Sequence, residues 1–122
     1  MKEFLPGERG GAAAIPLGDA LARLEAASGP RFLKLFEHGS LTVEIYAPWG
    51  TDPQTPHSRD EVYVVASGRG VFYDGKARQP VEPGTLLFVA AGRPHRFENF
   101  TDDFAVWVCF YGPEGGESPT AS

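Results

Sequence analysis

Cysteine and runs of basic residues are scarce in this 122-residue sequence, and long apolar stretches are absent. Cys109 is the single cysteine, which excludes an internal disulfide and fits a reducing compartment. The eleven lysines and arginines are scattered and the net charge is −5, which argues against a nucleic-acid interface. No secretory signal and no apolar run of roughly 18 residues is visible. We therefore expect a cytoplasmic protein without nucleic-acid or membrane partners.

What the sequence does contain is typical of one folded domain. Hydrophobic residues make up 42% and charged residues 22%, as in ordinary globular proteins. A chain of this length can bury one core and one pocket. We expect an N-terminal arm and short helix over residues 1–30, a β-domain over 31–111 and a disordered tail over 112–122. Asp19 is expected to cap the helix in "LGDALARLEAASGP", and Gly29-Pro30 to end it.

Short apolar runs separated by turn residues fill the middle of the sequence. A hairpin is predicted around Gly39, and strands are predicted in "EVYVVASG", "GVFYDG", "KARQPVEPG", "TLLFVAAG", "PHRFEN" and "FAVWVCFYG". "TLLFVAAG" is expected to be a buried strand. About eight short strands with close turns indicate an all-β sandwich or barrel, and nothing alternates strand with helix.

Two spaced patterns carry the residues suited to chemistry. The first is His57-x3-Glu61-x6-Gly68, and the second is Gly84-x5-Ala90-x-Gly92-x2-His95-x3-Asn99. Side chains alternate along a strand, so Glu61 and Tyr63 share one face, as do His95 and Phe97. If two hairpins of one barrel meet, they can aim His57, Glu61 and His95 at a common point. Two imidazoles and a carboxylate suit a divalent transition metal such as Fe, Mn, Ni or Zn. The alternative is a hydrogen-bonded polar cluster in a metal-free pocket.

At this point the sequence resembles the cupin family. "HSRDEVYVVASG" matches the second half of the first cupin motif, and "GTLLFVAAGRPHRFEN" matches the second motif at every spacing. Fifteen residues lie between Gly68 and Gly84, as in compact cupins. The resemblance spans about residues 31–111. It implies an antiparallel jelly-roll barrel with one short N-terminal helix, and a homodimer.

The sequence departs from the family pattern at two positions. Ala90 stands where proline is usual, and Thr55 stands where the first of the two motif-one histidines belongs. A threonine hydroxyl is a poor metal ligand, and the amide oxygen of Gln54 is a substitute if the loop rotates. The metal shell is thus reduced to His57, Glu61 and His95.

The pocket is expected to be lined by Gln54, Tyr63, Phe97 and Trp107. The resemblance implies a mononuclear metal site that takes a small oxygen-rich organic molecule, with oxygenase or isomerase chemistry if the protein is an enzyme. Whether it is an enzyme stays open, because fold does not choose a reaction. The alternative function is a non-catalytic module that binds a small molecule without a tightly held metal.

Overall fold

A computed structural model describes residues 11–118 of the chain. It contains one helix, α1 (Leu17–Ala26), followed by eight strands. The strands are β1 (Phe32–His38), β2 (Leu41–Tyr46), β3 (Asp60–Ser67), β4 (Gly70–Tyr73), β5 (Arg78–Val81), β6 (Leu86–Val89), β7 (Arg96–Glu98) and β8 (Ala105–Tyr111). Within residues 11–118 no helix is long and apolar enough to span a membrane.

The strands form two antiparallel sheets that face each other. The larger sheet has the order β1-β2-β8-β3-β6, and the smaller has the order β5-β4-β7. Every pairing is antiparallel. The hairpin predicted around Gly39 is formed by β1 and β2, where Gly39 has a φ of +58°. The predicted all-β jelly roll with one short helix is confirmed.

The main core lies between the two sheets, because alternate residues of each strand point inward. Tyr63 and Val65 of β3 pack with Phe72 of β4, Phe97 of β7 and Val106 of β8. Phe104, just before β8, is equally buried. Some of the core rings meet edge to face, as in the pair Phe97–Phe104 with centroids 5.0 Å apart. This packing fixes the inner wall on which the candidate site lies.

A second apolar cluster lies on the outer face of the larger sheet. Helix α1 buries Ala20 and Leu24 against Ile45 of β2 and Ala105 of β8. Trp107 packs partly against the same cluster. The helix therefore covers the outer side of β1, β2 and β8.

Two local expectations are wrong. Asp19 does not cap α1: Pro16 is the N-cap, no side chain caps the helix, and Asp19 lies within the first turn. Strand β6 is not buried on both sides, because it is an edge strand whose Leu86 and Phe88 are 66% and 55% exposed. A run of apolar letters does not distinguish a central strand from an edge strand with an apolar outer face.

The segment after β8 differs from the expected disordered tail as far as residue 118. The amide of Gly115 donates to the Ser58 carbonyl at 2.6 Å, and the amide of Glu117 donates to Asp60 Oδ2 at 2.9 Å. Asp60 is buried and also accepts a hydrogen bond from the Ala91 amide. Hydrogen bonds to Ser58 and Asp60 therefore hold a segment that contains no apolar anchor. Residues 1–10 of the expected arm and 119–122 of the tail lie outside the described residues.

Candidate metal centre

Three sequence-predicted residues come from two parts of the fold. His57 lies in the loop that precedes β3, Glu61 is the second residue of β3, and His95 comes directly before β7. The loop is tied to the turn after β6, because the Gly92 amide donates to the His57 carbonyl at 2.7 Å. Gly92 has a φ of +78°, which glycine adopts without strain. The second motif thus holds the first one in place.

Gly68, the glycine of the first motif, is required at its position for a steric reason. Gly68 has a φ of +76°, and a Cβ there would lie 2.6 Å from the Phe104 Cα. No side chain fits at this distance, so only glycine allows the turn after β3 to pack on the segment before β8. This packing fixes one end of β3, the strand that carries Glu61.

The three candidate ligands converge on one point. His57 Nδ1 lies 3.1 Å from Glu61 Oε1, and His95 Nε2 lies 2.9 Å from the same oxygen. One donor atom from each residue lies within 4.8 Å of the others. The glutamate is fully buried, the His95 side chain is buried and the His57 side chain is 36% exposed. His57 therefore lies on the solvent side of the cluster.

Contacts within the cluster stabilise the charged forms of Glu61 and His95. Burial disfavours the charged form of Glu61, but hydrogen bonds and charge from His57 and His95 outweigh it and lower its pKa. Burial likewise opposes the charged form of His95, yet its contacts with Glu61 and the Arg93 carbonyl raise its pKa. The buried carboxylate is thus stabilised as an anion, which is the form that binds a cation.

The contacts around His95 orient its ring for ligation. Its Nδ1 donates to the Arg93 carbonyl at 2.8 Å, so Nε2 is the nitrogen that faces Glu61. A backbone acceptor on the far nitrogen is the usual arrangement for a metal-bound histidine. Pro94 lies between Arg93 and His95 and restricts the backbone there.

One atom of the cluster has no partner. Glu61 Oε2 is buried and makes no hydrogen bond within the described part of the chain. A buried charged oxygen without a partner costs free energy, whereas a divalent ion between the carboxylate and the imidazoles would satisfy it. The set of two imidazoles and one carboxylate fits Fe(II), Mn(II), Ni(II) or Zn(II) and leaves positions open for other ligands.

The structure also shows the surroundings of Thr55, which stands where the first histidine of motif one is expected. Thr55 is an exposed residue two positions before His57 and lines the cavity. The Gln54 amide oxygen accepts a hydrogen bond from the Tyr63 hydroxyl at 2.9 Å, and its nitrogen donates to Asp52. Gln54 is therefore already bonded at both ends. The Tyr63 oxygen, 3.0 Å from His95 Nε2, is the next polar atom beside the cluster.

A cavity of about 680 Å³ opens from the cluster to the surface. Gln54 and Tyr63 line it as expected, together with His57 and Thr55. Phe97 does not line it, because its ring is buried behind Tyr63 in the core. Trp107 does not line it either. It pairs with Ile45 and Val64 on the outer face, while Val106, Val108 and Phe110 are the inward residues of β8. These placements correct two of the four expected pocket residues.

Several cavity residues escaped prediction from the sequence. Arg31 and Trp49 form the mouth, where the guanidinium carbon lies 3.6 Å from the indole centroid. Glu44 projects from the inner face of β2, and burial raises its pKa despite nearby charges of His57 and Lys34. Asp52 is buried in the loop before His57. Alternation from Tyr46 could have placed Glu44 inward, whereas the loop residues carry no periodic signal.

The sequence comparison agrees with this geometry. Residues 42–111 match the profile of the family described as the cupin domain. The chain belongs to the cupin family. A relative from Streptomyces coelicolor, an uncharacterised protein, is 36% identical over 98 residues, which are 79% of this cupin and 93% of the relative.

Solved structures of cupins share the fold. A cupin 2 conserved barrel domain protein from Salinispora arenicola has a TM-score of 0.63 and 20% identity, and the match covers 83% of this cupin and 89% of that chain. The DMSP lyase DddQ from Ruegeria pomeroyi has a TM-score of 0.57 and 22% identity. That match covers 67% of this cupin but only 47% of the lyase. At these identities the likeness shows the fold alone.

Proposed function

We propose that this cupin binds one divalent transition metal through His57, Glu61 and His95, and uses it to hold a small oxygen-rich organic molecule in the cavity. The observation that carries this proposal is the buried, unpartnered Glu61 Oε2 beside two imidazole nitrogens. A metal-free polar cluster explains the two hydrogen bonds to Oε1, but it leaves Oε2 unsatisfied.

The cavity supports a small organic ligand with an oxygen donor at one end. Phe110, Val108 and Tyr63 provide an apolar wall beside the cluster, while Glu44 and Arg31 add two polar groups farther along. Such a mostly apolar cleft with a few placed polar groups is typical of small-molecule sites. When bound, the metal supplies Lewis-acid chemistry or an oxygen-binding centre at the closed end.

The protein's own residues then have distinct roles. Glu61 is a ligand and not a free base, because both imidazoles contact its carboxylate. The Tyr63 hydroxyl is bonded to Gln54 and contacts His95, so its oxygen lies beside the position of the metal. The Arg31 guanidinium donates to the Ala47 carbonyl and to the Glu25 carboxylate and stacks on Trp49, so it is a fixed hydrogen-bond donor at the mouth for an oxygen of the ligand.

Metal analysis tests the proposal. Wild-type protein should contain or take up close to one equivalent of Fe(II), Mn(II), Ni(II) or Zn(II). His57→Ala and His95→Ala should each remove most bound metal while the circular dichroism spectrum stays that of the folded protein. His38→Ala is the matched control, because His38 is an exposed histidine at the end of β1. Wild-type protein that takes up none of these metals would contradict the proposal.

A second candidate is a binding module without catalysis, which Thr55 favours because it leaves the cluster one histidine short of the family pattern. The two candidates separate in one experiment. Metal-loaded protein is incubated with 2-hydroxy acids, 2-oxo acids and phenols, and both oxygen consumption and product are measured. Turnover that disappears in His95→Ala supports an enzyme. Saturable binding without turnover supports the module.

We also propose that the protein is cytoplasmic, because its single free cysteine suits a reducing compartment.

We further propose that the protein is a homodimer. Val62 and Val64 of β3 pair with Phe88 and Leu86 of β6 on the outer face of the larger sheet, away from α1. A second copy presents the same apolar face, which is the requirement for a two-fold interface. Phe88→Glu should give a monomer by light scattering, whereas Glu37→Lys on exposed β1 should not change the mass.

A further inference from the structure

Asp52 lies at the end of a hydrogen-bond chain that leads to the metal centre. Its Oδ2 accepts from the Phe97 amide at 2.8 Å and from Gln54 Nε2 at 2.6 Å. Its Oδ1 accepts from the Tyr46 hydroxyl and from the backbone N–H of Gln54. The chain continues from the Tyr63 hydroxyl to Gln54 Oε1 at 2.9 Å, and the Tyr63 oxygen lies 3.0 Å from His95 Nε2.

The direction of donation along this chain is fixed at its Asp52 end. A backbone N–H can only donate, so the oxygen that faces the Phe97 amide must be an acceptor. The Gln54 atom next to that oxygen is therefore its NH2 group, and the Gln54 carbonyl faces Tyr63. Tyr63 has one hydroxyl proton and gives it to Gln54. Toward His95, the Tyr63 oxygen therefore presents only its lone pairs.

The other end is fixed independently. His95 Nδ1 donates to the Arg93 carbonyl, which can only accept, so Nε2 is the atom that meets Tyr63 and Glu61. Tyr63 thus turns an acceptor, not a proton, toward the point where Glu61 Oε1 and His95 Nε2 converge. A hydroxyl proton directed at Nε2 would compete with a cation for the nitrogen lone pair.

We propose that Asp52 is a positioning residue, which orients Gln54 and through it Tyr63, so that the Tyr63 oxygen presents lone pairs to the metal beside His95. This inference rests on the proposed metal site. Asp52 itself touches none of the three ligands, and its bonds to Tyr46 and Phe97 also join the loop to both sheets. The test must therefore separate positioning from simple stabilisation of the loop.

The Kd for Zn(II), measured by competition with a chelator, provides that separation. Asp52→Ala and Gln54→Leu should each weaken Zn(II) binding about 10–100-fold, as is usual when a residue that orients a metal site is lost. Asp52→Asn should stay within about threefold of wild type, because its side-chain oxygen can still accept from the Phe97 amide and Gln54 Nε2. Tyr46→Phe is the matched control, since it removes a bond to Asp52 without breaking the path to Tyr63.

A double-mutant cycle decides whether Asp52 acts through Tyr63. Tyr63→Phe should weaken Zn(II) binding, and adding Asp52→Ala to that variant should cause no further loss. An undiminished Asp52 effect in the Tyr63→Phe background would overturn the inference, and so would an unchanged Kd for Asp52→Ala alone. If Asp52→Ala does not fold, Gln54→Leu replaces it in the cycle, because the Asp52 bonds to Tyr46 and Phe97 remain.

A second readout needs no metal. In the wild type and in Asp52→Asn, the Gln54 side-chain NH2 should show a nuclear Overhauser contact to the Phe97 amide proton, because both groups donate to Asp52 Oδ2. The inference would be overturned if the NH2 group instead showed its contact to the Tyr63 hydroxyl proton and none to the Phe97 amide proton. Wild-type protein that binds no Zn(II), Fe(II), Mn(II) or Ni(II) contradicts the proposed function itself, whereas metal binding that is insensitive to Asp52→Ala contradicts only the role of Asp52.

Discussion

The side chains of Glu61 and His95 meet at 2.9 Å although Glu61 lies in one sheet and His95 directly before a strand of the other. Glu61 is on β3 of the five-stranded sheet, and His95 precedes β7 of the three-stranded sheet. An ion held between them would join the two layers of the barrel directly. Metal binding and fold stability are therefore expected to be coupled.

Metal should raise the thermal stability of the protein. At a free metal concentration of 100 times Kd, binding to the native state alone adds about 2.7 kcal/mol to the free energy of unfolding. That corresponds to a rise of several degrees in Tm for a domain of this size. Scanning calorimetry with and without chelator measures it. His38→Ala should show the same rise and His95→Ala none, and a metal-independent Tm in the wild type would contradict the coupling.

The metal-free protein should be most stable in mildly acidic solution. The pKa of Glu61 is lowered from its ordinary value of 4.5, so its contribution is present above that value and is lost as the pH falls through the folded pKa. The pKa of His95 is raised from 6.5, so its contribution is complete below that value and is lost as the pH rises through the folded pKa. Both contributions coexist between the two ordinary values.

Urea unfolding across pH 4 to 9 measures this profile. The metal-free wild type should peak within the mildly acidic window, and His95→Phe should lose the decline on the alkaline side of it. Bound metal should move the optimum to higher pH, because the ion replaces the proton on the imidazole. A flat alkaline limb in the metal-free wild type would show that the His95 contact with Glu61 does not contribute to stability.

Thr55→His should tighten metal binding. Thr55 lies two residues before His57 and lines the same cavity, so an imidazole there can reach the cluster if the loop adjusts. A fourth ligand is expected to lower Kd at least about tenfold, or about 1.4 kcal/mol. Chelator competition measures the change, with Ser58→His as the control, because Ser58 is an exposed residue of the same loop that does not line the cavity. If both variants bind like the wild type, position 55 does not face the ion.

Trp107 should matter for stability and not for the site. It packs with α1 on the outer face, so Trp107→Ala is expected to cost about 3 kcal/mol of unfolding free energy. The Kd for metal should not change, because the inner residues of β8 are Val106, Val108 and Phe110. Urea titration and metal competition on the same variant give both numbers. A weakened site with unchanged stability would reverse this assignment.

Two-residue alternation predicts the strands and places Glu61 and Tyr63 on one face. The cluster follows from the cupin motif spacing, which predicts that His95 approaches Glu61 although it lies next to the other sheet. The prediction that Trp107 lines the pocket is wrong, because an all-apolar strand gives no alternation that identifies its inner face. The pairing of Tyr63 with Val108 decides it, and that pairing is a property of the folded sheet.

The loop residues could not be predicted for a different reason. Asp52 and Trp49 owe their roles to side-chain contacts with distant strands, such as the bond from the Phe97 amide to Asp52. No period marks such contacts in a sequence rich in proline and glycine. The docking of Glu117 on Asp60 escaped for the same reason, since the segment contains no apolar residue to indicate packing.

One measurement tests the metal site most directly: an anomalous-scattering map of crystals grown with Mn(II), Fe(II), Ni(II) or Zn(II). We predict one strong peak within about 2.0–2.3 Å of the ligand atoms of His57, Glu61 and His95, the range of bonds from such ions to nitrogen and oxygen ligands. A map without a peak at this point, or with the ion bound elsewhere while Glu61 still pairs only with the two histidines, would contradict it.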